Sequence, residues 1–204
     1  MYLVNTFRRK IRRRQKGCEE RRAGRRQGGF QSLTMYSSEQ IRFLPGSLRP
    51  IVIDGSNVAM AHGQNKVFSS KGIAMVVNHF ARHGHRQIVA FLPQFRKKKG
   101  QVKDPELLKR MEDDGVVVFT ASREVGELRI NSYDDAFILD YAARHGGIVI
   151  SRDNFRDLAR KKPEWEDVVR YRILMPTFVG EDDLMWPDDP LGREGPKLKQ
   201  FLRF

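Results

Sequence analysis

The chain of 204 residues has one cysteine, Cys18, which excludes an intrachain disulfide framework and fits a reducing compartment. No run of 18 apolar residues occurs, so no membrane-spanning helix and no membrane association are expected. The N-terminus lacks the apolar core of a signal peptide. Neither Gly-x-x-x-x-Gly-Lys nor Gly-x-Gly-x-x-Gly follows a candidate strand, which argues against a phosphate-loop NTPase and a dinucleotide enzyme. Without a Gly-x-Ser-x-Gly elbow, serine-esterase chemistry is disfavoured. A phosphatase built on an aspartyl nucleophile usually wants a second acid two residues after the first, and Ser56 stands there after Asp54.

Acidic residues are also missing before Glu19, and this shortage is local. The net charge is +13, but residues 1–49 hold 13 Arg/Lys against 3 Glu, while residues 50–204 hold 25 basic and 22 acidic side chains. The high pI therefore describes an N-terminal arm more than a globular body, and such an arm suits an acidic polymer or surface. Residues 1–36 are rich in Arg, Gly and Gln and poor in apolar residues, the composition of a disordered segment. Arg8-Arg9-Lys10-Ile11-Arg12-Arg13-Arg14 fits a nuclear or nucleic-acid-binding patch as well as a mitochondrial transit signal. A cytoplasmic location is the leading expectation, with nuclear and mitochondrial ones left open. Residues 37–47 read as a linker or short packing segment ended by Pro45-Gly46, and the domain spans 48–204.

What is present organises around Ile51-Val52-Ile53-Asp54-Gly55-Ser56-Asn57. A β-branched run that ends in a turn signal predicts a buried strand of a parallel sheet, with Asp54 at its carboxyl end, followed by a turn at Gly55 and Ser56 and a loop over 61–70. Residues 73, 76, 77 and 80 have helical spacing. Further strands are expected at 87–93, 116–119, 148–150 and 173–179, and a short extra one near 128–130. Helices are expected from Asp104-Pro105, over 134–144 and 154–160, from Pro163, and near Leu198 to Leu202. Alternating strands and helices predict an α/β domain with a parallel sheet.

The candidate chemistry is acidic. Asp54 ends the first strand, Asp134 and Asp135 open a helix, and Asp153 follows the fourth strand with Asp157 four residues on, where a helix would place both on one face. Strand ends of a parallel sheet share one edge, so these groups can converge. Two carboxylates about 5 Å apart repel by roughly 3 kcal/mol at an effective dielectric near 20, so the set calls for a cation. All-oxygen donors suit Mg²⁺ or Mn²⁺, which can activate water beside a phosphate. Taken singly, each acid could instead cap a helix. Lys66, Lys71, Arg96, Lys97, Arg123 and Arg129 lie in loops or helix starts along the expected edge and could track an RNA backbone. Phe95 could stack a base or pack in the core. His79, His83 and His85 have a spacing open to zinc but no fourth ligand nearby, and a surface role is expected for them. Trp165 and Trp186 are expected to pack.

Ile53-Asp54-Gly55-Ser56-Asn57-Val58-Ala59-Met60, His62-Gly63, Tyr133-Asp134-Asp135 and Asp153-Asn154-Phe155-Arg156-Asp157-Leu158 together resemble the NYN branch of PIN-like nucleases. Pro187-Asp188-Asp189-Pro190-Leu191-Gly192-Arg193 and Gly195-Pro196 narrow the likeness to the Regnase-type (CCCH zinc-finger ribonuclease) family, over roughly residues 48–204. The resemblance implies a PIN-like α/β/α three-layer domain and a Mg²⁺-dependent endoribonuclease acting on messenger RNA. It implies that Asp54, Asp134, Asp135 and Asp153 hold metal and water, that Asn57 and Asp157 orient them, and that the domain self-associates. One departure stands out. The family places a CCCH zinc finger after the region ending here, and no cysteine follows Cys18, so either RNA affinity is expected to come from elsewhere, such as the basic arm, or the chain is part of a longer protein. A non-catalytic RNA-binding adaptor with the same fold, and a structure-selective DNA nuclease, are the alternatives.

Overall fold

The computed structural model describes residues 44–97, 102–120, 124–125, 128–129 and 132–204. The basic arm, most of the 37–47 segment, Arg123 and the side chain of Arg129 lie outside the described residues.

In chain order the domain begins with β1 (Ile51–Asp54), α1 (Gly55–His62), β2 (Phe68–Ser69), α2 (Ser70–Arg82) and β3 (Ile88–Pro93). A 3-10 turn over Gln94–Lys97 leads to β4 (Val102–Lys103), α3 (Pro105–Asp113), β5 (Val117–Thr120), β6 (Glu124–Val125) and β7 (Leu128–Arg129). Then follow α4 (Ser132–His145), β8 (Ile148–Ile150), α5 (Arg156–Ala159), α6 (Pro163–Tyr171) and β9 (Ile173–Leu174). The chain closes with β10 (Thr177–Val179), β11 (Asp183–Met185) and α7 (Leu198–Phe201).

Five parallel strands form the central sheet in the order β5-β3-β1-β8-β9. Their side chains alternate between two cores, as a pleated strand requires. Ile51 and Ile53 join Ile73, Val76, Val77 and Phe80 of α2 on one face. Val52 and Val149 join Ile138, Leu139 and Ala142 of α4 and Trp165 and Val168 of α6 on the other. The result is the expected α/β/α layering of a PIN-like domain. The chain steps outward from β1 to β3 and β5, then returns to lay β8 on the opposite side of β1. The carboxyl end of β1 is therefore the switch point where ligands of open α/β sheets bind.

Local chemistry explains the boundaries. Asp104 Oδ1 accepts from Leu107 N at 3.0 Å and Pro105 stands in the first turn, so α3 starts where a cap followed by proline dictates. Gly55 lies so close to β3 that a Cβ would come within 2.8 Å of both the Phe91 carbonyl oxygen and Leu92 Cδ2. Only glycine lets α1 begin directly at the strand end.

Four expectations need correction. The turn expected at Gly55 and Ser56 is the first turn of α1, and the 61–70 loop shrinks because α1 runs to His62 and β2 pairs with β4 in parallel. The expected final strand is two elements, β9 in the central sheet and β10 in an antiparallel hairpin with β11. Pro176 lies between them and cannot donate to a ladder. The helix expected over 154–160 shortens to α5, with Phe155 at its cap position. Finally, His85 is buried rather than superficial, with Nδ1 placed 2.8 Å from the Arg49 carbonyl oxygen, to which it donates.

Candidate active site

Asp54 is at once a helix cap and a buried acid. Its Oδ1 accepts from the Asn57 N–H at 3.0 Å, which caps α1, and its Oδ2 accepts from the Ser151 hydroxyl at 2.9 Å. The capping reading of this residue holds, and the same carboxylate also reaches Ser151 beyond the end of β8. Burial pushes its carboxyl up to about 6; the two hydrogen bonds oppose the rise, and the charges of Asp135 and Asp153 add to it.

Asp134 and Asp135 stand in the first turn of α4, opposite the end of β5. The Thr120 hydroxyl, at the last position of β5, donates to Asp134 Oδ1 and also lies 3.2 Å from the Leu92 carbonyl oxygen. Burial raises the Asp134 carboxyl, and the Thr120 bond moderates the rise. Asp135 is raised to about 6, by burial first and then by the charges of Asp153 and Asp134. Among the described residues nothing donates a hydrogen bond to the Asp135 carboxylate, which leaves it the open acid of the group.

The segment after β8 is tied down at successive positions. Ser151 is fully buried, and its oxygen accepts from Asp153 N at 3.0 Å while the hydroxyl serves Asp54. Asn57 Oδ1 accepts from Arg152 N at 2.8 Å. Asp153 Oδ1 accepts from Phe155 N at 3.0 Å, in a turn that precedes α5. Phe155 is buried with φ of 49°, a left-handed conformation that bulky residues seldom adopt, and tertiary packing holds it there. Asp153 is thus an exposed turn residue whose charge reaches Asp54 and Asp135. Asp157 is exposed in the first turn of α5, and the shared helical face expected for it and Asp153 does not form because Asp153 precedes the helix.

These groups border an open cavity of about 530 Å³. Asp54, Asp134 and Asp135 line it with Asn57, Arg96 and Arg152, and Met60, Pro93 and Phe95 add an apolar wall. Asp153 and Asp157 are not on its lining. Among the described basic residues expected to track RNA, Arg96 alone lines it, its guanidinium 4.9 Å from the centres of the Phe68 and Phe95 rings. Lys66 is exposed on the loop beside Asn65, a lining residue. Lys71 points to the β10–β11 turn and pairs with Asp182 at 2.7 Å. Lys97 pairs with Glu112 of α3 and covers the Phe119 ring at 4.4 Å. Sequence reasoning missed Thr120, Ser151 and Arg152. The signal was available, since all three end or directly follow central strands, the position that singled out the acids.

Among the described residues no three His, Cys, Asp or Glu side chains converge closely enough to hold a metal ion by themselves. The donor chemistry still fits a hydrated hard cation: Mg²⁺ keeps several waters and takes one or two carboxylates, and three acids with raised pKa values line one cavity.

The fold recurs among solved structures. Arabidopsis thaliana nuclear protein-only RNase P 2 (PRORP2) matches with a TM-score of 0.50 at 19% identity, over 69% of this chain and 30% of that one. The chain thus corresponds to less than a third of that protein, and the likeness is one of fold. A second comparison is more specific: with residues 47–200 of 204 matching the Zc3h12a-like Ribonuclease NYN domain, the chain belongs to that family of ribonuclease domains.

Proposed function

We propose that this chain is a divalent-metal-dependent endoribonuclease that hydrolyses single-stranded or stem-loop segments of messenger RNA, in mRNA decay. The observation that supports this most is the meeting of Asp54, Asp134 and Asp135 on one open cavity at the switch point of the sheet.

Asp54, Asp134 and Asp135, with the charge of Asp153 beside them, would hold Mg²⁺, or Mn²⁺ in its place. When bound, the cation offsets the repulsion among the acids and the phosphate and makes a coordinated water more acidic. Asn57 and Ser151 hold Asp54 and the 152–153 segment in fixed positions. The Asp135 carboxylate, which no described side chain engages, would accept a proton from the attacking water. The water oxygen bonds to phosphorus in line with the P–O3′ bond, which breaks. The 3′ oxygen takes a proton from solvent, leaving a 3′-hydroxyl and a 5′-phosphate.

A radiolabelled stem-loop RNA, incubated with Mg²⁺ or with EDTA, tests the reading. Wild type should cleave only with metal, and Asp135→Asn should be slower by about 100-fold or more, the range expected on losing a general base. Equal cleavage by both proteins would refute the assignment. RNA that is bound but never cut would favour an adaptor, and equal cutting of a DNA oligonucleotide of the same sequence would favour a less selective nuclease.

A further inference from the structure

The two arginines of the cavity stand on opposite sides of Asp54: Arg96 follows β3, Arg152 follows β8, and these strands flank β1. They are in different states. The Arg96 guanidinium lies over two aromatic rings. The Arg152 side chain is exposed and, among the described residues, makes no ion pair and no hydrogen bond, although three carboxylates line the same cavity. An arginine so placed would ordinarily pair with one of them. Here both Asp54 oxygens are already occupied, and Asp134 is held by Thr120.

The backbone of Arg152 is unusually well fixed for an exposed residue. Its N–H donates to Asn57, its predecessor Ser151 is buried against Asp54, and its successor Asp153 is tied through the Ser151 oxygen. A fixed base carrying an uncommitted guanidinium suits an anion that arrives with the substrate. Arginine also matches a phosphate in a way lysine cannot, because its planar fork makes two parallel hydrogen bonds.

We propose that Arg152 is a phosphate contact of the substrate, gripping the RNA backbone on the β8 side so that the strand crosses the sheet edge from β3 to β8 over Asp54. This rests on the ribonuclease reading above. The probe is a fluorescein-labelled single-stranded RNA in EDTA, so that binding is read without cleavage, by anisotropy across a KCl series. Arg152→Ala should weaken binding roughly fivefold at low salt and reduce the slope of log Kd against log salt by about 0.7 to 1, the loss of one phosphate contact. Arg152→Lys should keep the slope but recover only part of the affinity. Arg170→Ala, on the exposed face of α6, should match wild type. In Mg²⁺ the Arg152→Ala enzyme should lose kcat/KM chiefly through KM. A wild type that binds and cleaves RNA while Arg152→Ala keeps the full salt slope would overturn the contact. A fall in kcat with an unchanged slope would overturn it too, assigning Arg152 to loop structure. A wild type that neither binds nor cleaves RNA would instead sink the ribonuclease reading, and this inference with it.

Discussion

The Ser151 hydroxyl donates a 2.9 Å hydrogen bond to Asp54 Oδ2 and so joins the ends of β8 and β1 across 97 positions of sequence. The same oxygen accepts from Asp153 N, so one buried hydroxyl sets the spacing of two acidic stretches. A carboxylate buried at the end of an apolar strand is held in its ionised form by such donors.

Ser151→Ala should therefore raise the Asp54 carboxyl further above its ordinary value. The acid limb of the cleavage rate against pH should move to higher pH. Stability should fall by about 1.5–3 kcal/mol, typical for a hydrogen bond to a charged group, as read by urea denaturation at pH 7.5. An unmoved acid limb would remove Ser151 from any part in tuning the site.

Asp54→Asn should separate stability from activity. The folded carboxyl titrates near 6, above its ordinary 3.8, so below about pH 4 it is protonated both folded and unfolded and carries no penalty. Between these values the unfolded chain has lost a proton that the folded chain keeps, so this residue's contribution to stability falls as pH rises. Above about pH 6 the penalty is full and constant. In EDTA, Asp54→Asn should exceed wild type in stability at pH 7.5 by on the order of 2 kcal/mol, with the gap closing near pH 4, while cleavage is lost. Thermal unfolding at the two pH values checks this, and a gap independent of pH would contradict it.

Lys71→Ala and Lys97→Ala should leave RNA affinity within about twofold of wild type, because both ammonium groups are paired with carboxylates, and surface pairs contribute only about 0–1 kcal/mol to stability. Arg96→Ala should weaken RNA binding more than either. Anisotropy titrations of the three variants give the comparison, and a large loss with Lys71→Ala would place the β10–β11 side of the domain in the RNA path.

Much of this architecture was legible before any coordinates. Short apolar runs such as Ile51-Val52-Ile53 and Ile148-Val149-Ile150 have few fates other than buried parallel strands, and a strand that ends in Asp54 fixes where its polar chemistry sits. Asp104-Pro105 marked the start of α3 because capping is local chemistry, and the separate acidic motifs pointed to one nuclease family. By contrast, the helix at Gly55 was hidden, since it depends on the approach of α1 to Phe91 and Leu92 of β3. The split after Leu174 was visible only as Pro176, a signal outweighed by the apolar run around it.

The amino-acid sequence by itself determined the central strands β1, β3, β5 and β8, the acid that ends β1, and to which family the chain belongs, because burial periodicity and short motifs are properties of neighbouring residues. Tertiary structure alone decided which acids share a cavity, which lysines are already paired with carboxylates, and which hydrogen bonds Thr120 and Ser151 make to the aspartates. Those outcomes depend on strand order and on hydrogen bonds between residues as much as 97 positions apart, and no local pattern of side chains records them.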